Sequence, residues 1–368
     1  MSRPATTAND AQVLADRTRS PHVTPRKSAK KTTDPDNVYN AAHCSVKPIE
    51  DLGAIDVAAI ARLSKALGDP LRLEILQALK WHSLSVNELC QVFELRQPAL
   101  SHHLKILLRE QLLQTRKEGN STFYRRHLPA ASNFSSIAKL TFELLDQQRD
   151  NSILVEKLSE IDKARSEQAQ RFFDSLAQRT RSSQEFIVDF SVYRDAAVEL
   201  LASLQLAGNT RLLELGSGYG EFLALVSKRY ASVTAVDISQ GLIQQAKRRL
   251  ADHEIEHVNF VHGELGDLSP AASFDVAVCN MVLHHVSSPP NVLRELASRL
   301  APSGHLIITE LCQHEQSWAR TDCGDIWLGF EPQSLIADAR SAGLLHRRQN
   351  LLALRNGFQV QLHLFQKA

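Results

Sequence analysis

One stretch constrains the fold of this chain more than any other. The apolar run Leu212-Leu213-Glu214-Leu215 ends in Gly216-Ser217-Gly218-Tyr219-Gly220, and a helical pattern begins near Gly220. Glycines let a chain turn sharply after a strand and let its backbone approach a ligand closely. The spacing is GxGxG, not the GxGxxG of dinucleotide sites, so no pyrophosphate need sit on this turn. Asp237 ends the next apolar run, where a carboxylate can accept both hydroxyls of a ribose. Further apolar runs at Val233–Val236, Asn259–Val261, Phe274–Cys279 and His305–Thr309 alternate with helical segments. Strands alternating with helices predict a mostly parallel sheet with right-handed crossovers over residues 201–368.

The front of the chain has a different texture. Residues 53–130 hold eleven Lys/Arg against seven Asp/Glu, whereas residues 171–368 hold eighteen against twenty-one. A basic front and a mildly acidic back predict that only the front meets a polyanion. A length of 368 residues suits two ordinary domains. No apolar run approaches the roughly 20 residues of a membrane span, and the start lacks a signal-type apolar core. Five cysteines without a CxxC pair give neither a disulfide framework nor a zinc ribbon. The expectation is a soluble, cytoplasmic protein with no membrane partner.

Residues 1–52 read as a disordered basic tail, with six basic residues and no acidic one between Arg17 and Lys31. That stretch is either a solvated tail or a phosphate contact. Residues 54–67 predict a first helix, with Gly68 at its C′ position. Asp69-Pro70 opens a second helix through Leu79 as N-cap and N1. Ser85-Val86-Asn87-Glu88 is a capping box that opens a third. Arg96-Gln97-Pro98 opens a fourth, to about Leu108. Leu112–Lys117 and Thr122–Arg126 predict two strands around a Gly119-Asn120 turn. Residues 131–200 read as a helical linker or lid, with one or two helices.

Two helices joined by a short turn and followed by a basic hairpin predict a winged helix-turn-helix, with the fourth helix in the major groove of double-stranded DNA. Gln97, Ser101, His102 and Lys105 are spaced along one side of that helix, and Gln and Ser can bond to base edges. Arg116, Lys117, Arg125 and Arg126 lie on the hairpin, where they can neutralise phosphates.

The segments "ALGDPLRLEILQAL" and "SVNELCQVFELRQPALSHHLKILLREQLLQTRKEGNSTFYR" resemble the arsenic-repressor (ArsR) family of bacterial regulators. That resemblance implies a homodimer on a palindromic operator, usually a repressor. Metal-sensing members carry a Cys-x-Cys pair on the third helix, and here Glu88-Leu89-Cys90-Gln91-Val92 offers one cysteine. A single thiolate cannot close a soft-metal site. The adjacent His102 and His103 point to different helix faces, so no metal site is expected.

The segments "LLELGSGYG", "VTAVDIS", "FDVAVCNMVLHHV" and "LAPSGHLIITEL" stand in the order of class I S-adenosylmethionine-dependent methyltransferases. The fold class that follows is two-domain: an N-terminal, mainly α winged helix and a C-terminal α/β Rossmann-like domain. S-adenosyl-L-methionine is the implied cofactor. By the resemblance, Glu214 helps hold the methionine amino group, and Gly216, Ser217, Gly218 and Gly220 shape the turn. Asp237 grips the ribose, Ile238 packs on adenine, Glu264 stands near the adenine amino group, and Asn280 lies near the reacting methyl. A base is needed only if the acceptor must lose a proton. The candidates are His284 and His285 just after the fourth strand, Glu310 ending the fifth, which is the first choice among carboxylates, and His314 and Asp325 beyond it. Trp318 and Trp327 lie in a long insertion that can form a lid, and Phe172, Phe173 and Tyr193 can close the other side.

Three functional readings stand. The chain is a DNA-binding regulator with an active methyltransferase domain for a small-molecule acceptor, or a regulator that only senses S-adenosylmethionine or its demethylated product. In the third it is mainly an enzyme, with the winged helix as a dimerisation unit.

Overall fold

The computed structural model describes residues 56–119, 121–129, 135–148, 151–177 and 187–368. The expected tail of residues 1–52 lies outside them, as does Asn120 of the hairpin turn.

The second and third helices start at the caps expected for them, and the first starts at Asp56, a cap that the sequence alone did not single out. Helix α1 (Val57–Leu67) starts at Asp56, whose carboxylate accepts the Ala58 N–H at 2.9 Å. It ends at Gly68 with φ −80°, so the left-handed terminus expected there is absent. Asp69 caps α2 (Pro70–Ala78) by accepting the Arg72 N–H at 3.1 Å. A two-residue strand β1 (Leu84–Ser85) leads into α3 (Val86–Phe93), and the capping box is complete. Ser85 Oγ accepts the Glu88 N–H at 3.3 Å, and Glu88 Oε2 accepts the Ser85 N–H at 2.7 Å. Helix α4 (Gln97–Arg109) follows, then β2 (Leu113–Glu118) and β3 (Ser121–Arg126), in a sheet of order β1-β3-β2.

Three helices connect the halves: α5 (Ser135–Gln147), α6 (Ser152–Ala177) and α7 (Phe190–Ala202). Sequence periodicity predicted one or two, in a segment separate from both domains. Instead Ala138, Phe142 and Leu145 of α5, with Leu154 and Leu158 of α6, complete the winged-helix core around Leu76, Leu104 and Leu107. The far end of α6 packs on the second domain, with Gln245 donating to the Ala177 carbonyl at 2.5 Å.

That domain runs β4 (Arg211–Leu215), α8 (Glu221–Val226), β5 (Ser232–Asp237), α9 (Gln240–Asp252), β6 (Val258–His262) and β7 (Phe274–Asn280). It continues with α10 (Pro289–Arg299), β8 (Leu300–Leu311), α11 (Trp318–Asp322), α12 (Pro332–Ser341), β9 (Leu344–Ala353) and β10 (Gln359–Lys367). The seven strands lie in the order β6-β5-β4-β7-β8-β10-β9. Strands β4 to β8 are parallel, and β10 is antiparallel to both β8 and β9. The order reverses between β4 and β7, and ligands of open α/β sheets bind at such a switch point.

A core covers each face of the sheet. Phe123 of β3 belongs to one of them, beside Trp327 at a ring distance of 4.9 Å. The hairpin of the winged helix is thus built into the second domain, and Leu52–Ala368 form one unit. Among the described residues no helix is long and apolar enough to cross a membrane.

Candidate cofactor site and nucleic-acid interface

At the C-terminal ends of β4, β5 and β7 lies a cavity of about 800 Å³, with α6 along one side. The glycine turn forms its floor. Gly216 has φ +74°, and a Cβ there would fall 2.2 Å from Val282 Cγ2, so only glycine fits. Gly218 leaves open space beside its backbone. Gly220 does not line the cavity; it lets α8 approach α9, where a Cβ would meet Ala246 Cβ at 2.9 Å. Its expected part in the site is therefore helix packing.

Asp237 is buried, and its carboxylate is aimed by its own loop. The Gly218 N–H donates to Oδ2 and the Ser239 N–H to Oδ1, each at 2.9 Å. Lone pairs remain on both oxygens for hydroxyl donors. Burial raises its carboxyl above the usual range despite these bonds. Glu214, buried beneath the turn, is pushed well above the usual range by burial, and the Asp237 charge adds to the effect.

Two buried polar atoms test the fit of the implied cofactor. Glu214 Oε2 and Asn280 Nδ2 make no well-formed hydrogen bond among the described residues, although the Asn280 amide lies close enough to Glu214 to lower its carboxyl. Thr309 Oγ1 donates to Asn280 Oδ1 at 2.7 Å, which leaves the amide nitrogen as the donor. A buried acceptor beside a buried donor matches the ammonium and carboxylate of an amino acid. Two buried acids also suit a ligand with positive charge. Ile238 and Glu264 line the same cavity, and Glu264 is held by Ser166 of α6. The site residues fit S-adenosylmethionine.

Of the candidates for proton transfer, only His285 lines the cavity. Neither Glu310 nor His314 lines the cavity. Glu310 is buried behind it, accepting the Leu283 N–H at 2.6 Å and bonding His284 Nδ1 at 2.7 Å. His314 packs on Phe358, and burial pushes its pKa down to about 4. Trp327 is a core residue under Phe123, not part of a lid. Phe173 and Tyr193 do line the cavity. Sequence reasoning left unassigned the polar residues of α6 that also line it, among them Ser159, Asp162, Lys163 and Ser166. Their spacing of three to four residues, continued by Gln170 and Phe173, was a legible sign of one helix face.

On the winged helix, Gln97, His102 and Lys105 are exposed along α4, with Ser101 half-buried between them. Cys90 is half-buried beside the core. The hairpin differs from expectation. Arg116 pairs with Glu118 and donates to the Gly329 carbonyl. Arg125 forks onto Asp338 of α12, and Arg126 onto Asp146 of α5 with both bonds at 2.8 Å. The physical reason is strand alternation: Arg116 and Glu118 share one face, and it faces the second domain. Lys117 remains exposed.

Comparison with known proteins agrees with this architecture. A family model for a methyltransferase domain matches residues 161–349, and the chain belongs to that family. Residues 69–115 match the arsR family of bacterial regulatory proteins. An uncharacterized methyltransferase of Mycobacterium bovis is 31% identical over 120 residues, covering 32% of this chain and 57% of that protein. The mitochondrial ubiquinone biosynthesis O-methyltransferase of Schizosaccharomyces pombe is 26% identical over 187 residues, covering 50% of this chain and 65% of that protein. The chain thus spans about three-fifths of the length of these relatives. Among solved structures, the N-methyltransferase NodS of Bradyrhizobium japonicum, in complex with S-adenosylhomocysteine, has a TM-score of 0.45 and 18% identity, covering 54% of this chain and 98% of that one.

Proposed function

We propose that this protein is a DNA-binding transcriptional regulator of repressor type whose operator affinity is set by S-adenosylmethionine, or its demethylated product, in the methyltransferase domain. The observation that carries this reading is the double duty of α6. Its face lines the cavity, and the same helix grips the DNA-binding half. Arg165 donates to both oxygens of Glu88, the acid of the α3 capping box, at 2.8 Å each. Asp162 bonds His82 at 2.9 Å and Ser287 at 2.8 Å, and Lys157 pairs with Glu94 at the end of α3. Toward the cavity, Asp174 accepts from Ser239, two residues after Asp237, at 2.7 Å. A ligand that shifts α6 therefore acts on the helix preceding α4.

In this reading α4 enters the major groove with Gln97, Ser101, His102 and Lys105 toward the bases. A homodimer on a two-fold operator is supported by an apolar stripe on α5. Ile137, Leu140 and Leu144 are 38%, 57% and 56% exposed at helical spacing. Val57 of α1 is exposed as well, and α1 and α5 both pack on α2.

Methyl transfer to a small-molecule acceptor is the second reading, favoured by the enclosed cavity. The cofactor, when bound, supplies an activated methyl on sulfur. The chain's part is to hold the amino-acid end at Glu214 and Asn280, to fix the ribose at Asp237, and to exclude water with Phe173 and Tyr193. Its own lining offers His285 as a nitrogen base, kept neutral because burial depresses its pKa well below the usual value.

Anisotropy titrations on the chain's own promoter, with and without either nucleoside, test the proposal. We expect operator Kd to change about 5-fold or more. Asp237→Ala should weaken nucleoside binding at least about 100-fold by calorimetry and abolish the operator response. Equal operator affinity in all three states rejects the regulatory reading. Release of labelled methyl product from cell extract separates turnover from sensing.

A further inference from the structure

At the cavity wall stands a group of four side chains, of which only His285 lines the cavity and enters either reading. His284 and His285 occupy the short turn Leu283–His285 after β7, Asp325 follows α11, and Glu310 ends β8; all four are buried. Glu310 Oε2 holds His284 Nδ1 at 2.7 Å, so that ring presents Nε2 to Asp325 Oδ1, 3.9 Å away. His285 Nδ1 lies 3.8 Å from the same oxygen. Donor atoms of His284, His285 and Asp325 all lie within 4.8 Å of one another. Both carboxylate oxygens of Asp325 are buried without a hydrogen-bond partner among the described residues. Leaving an ionised carboxylate in that state is costly, and it calls for an ion or a water at the site.

We propose that His284, His285 and Asp325 bind one divalent transition-metal ion of the zinc type, with Glu310 orienting His284 from behind. Three features of the cluster support this. A carboxylate on one ring nitrogen, with the other nitrogen turned to the ion, is how protein metal sites fix a histidine tautomer. Two imidazoles and a carboxylate suit zinc and its neighbours better than calcium or magnesium, which prefer all-oxygen sets. A divalent ion would also answer the charges of Glu310 and Asp325 in one buried cluster, and its ligation would displace the proton that these carboxylates favour on His284. Ligation by His285 Nδ1 replaces its present contact with the Gly324 carbonyl at 3.3 Å.

The ion would pin the loop that seats the wing. The N–H groups of Ile326 and Trp327 donate to the His284 carbonyl at 2.9 and 3.0 Å. The next residues carry the wing contacts: the Leu328 N–H donates to Glu118 at 3.0 Å, and the Gly329 carbonyl accepts from Arg116. This inference does not depend on cofactor binding or on the operator response.

The test uses the full chain, stripped with a chelator and dialysed against zinc chloride. Mass spectrometry of the metal should find about one zinc per chain, and the X-ray absorption edge should show nitrogen and oxygen ligands with imidazole scattering. Asp325→Asn should cut zinc content at least tenfold and remove the zinc-dependent rise in Tm. His285→Gln should do the same, should the first variant show no cooperative melt. His346→Gln, which breaks the other close histidine pair at His363, should leave the stoichiometry unchanged. Zinc below a tenth of an equivalent in the wild type, sulfur ligation at the edge, or full loading of both site variants overturns the proposal.

Discussion

Two basic surfaces of the winged helix have opposite fates. Along α4, Gln97, His102 and Lys105 face outward. On the hairpin, Arg116, Arg125 and Arg126 are spent on Glu118, Asp338 and Asp146 of the same chain. In composition the two sets look alike, as cations and amides in a basic domain. What separates them is whether an acid lies within reach, on another element for Arg125 and Arg126 and two residues along β2 for Arg116. A guanidinium forked onto a carboxylate has little left for a phosphate. The hairpin is therefore better described as a clamp on the second domain, and α4 as the surface that the proposed operator recognition would use.

That contrast can be broken by experiment. Lys105→Ala and Gln97→Ala should each weaken operator binding about tenfold, a cost of ~1–3 kcal/mol, and Lys105→Ala should also lower the salt slope by about one. Arg125→Ala should leave the salt slope unchanged; a drop of about one would return the hairpin to the DNA interface. Arg165→Met should reduce the roughly 5-fold response of operator affinity to the nucleoside toward unity, read in the same titrations. Retention of the full response would mean that coupling bypasses the Glu88 capping box. A smaller effect is expected in denaturant melts, where Arg125→Ala should cost about 1–2 kcal/mol through loss of its partly buried pair.

A pH titration of the cavity is subtler. Burial raises the Glu214 carboxyl, so at any pH below its raised value an ammonium group must displace a proton there. Nucleoside affinity should therefore rise with pH until Glu214 is ionised, at most about tenfold per unit. Glu214→Gln should flatten that dependence and lower affinity. For stability the sign is opposite: a raised carboxyl favours the fold while protonated, and that contribution declines as pH climbs through its folded value.

Much of the local structure was legible. Asp69 and Ser85 cap helices because their short side chains reach backbone N–H groups within the next turn, a purely local geometry. The glycine turn and Asp237 were legible because close backbone approach demands those residues. Strand β10 was hidden by its polar members. Gln361 and His363 are buried but satisfied, with Gln361 Nε2 donating to the Leu311 and Phe330 carbonyls and its Oε1 bonding His363. Such partners lie tens of residues away in sequence, so no local pattern announces them. Glu310 and His314 attract attention as ionisable groups after a strand, yet their surroundings turn one into a buried acceptor and the other into a neutral packing residue.

By itself the sequence determined the first four helices and their hairpin, the five parallel strands, where the chain must bend at glycine, and that the two halves differ in charge. Those outcomes follow from short-range sterics, hydrogen bonding and apolar periodicity. Only the tertiary structure decided that α6 lines the cavity while holding the DNA-binding half, that the hairpin arginines are consumed internally, and that two histidines meet an orphaned aspartate. Each depends on desolvation and on charges brought together across the chain, and such energies do not exist until the pieces pack.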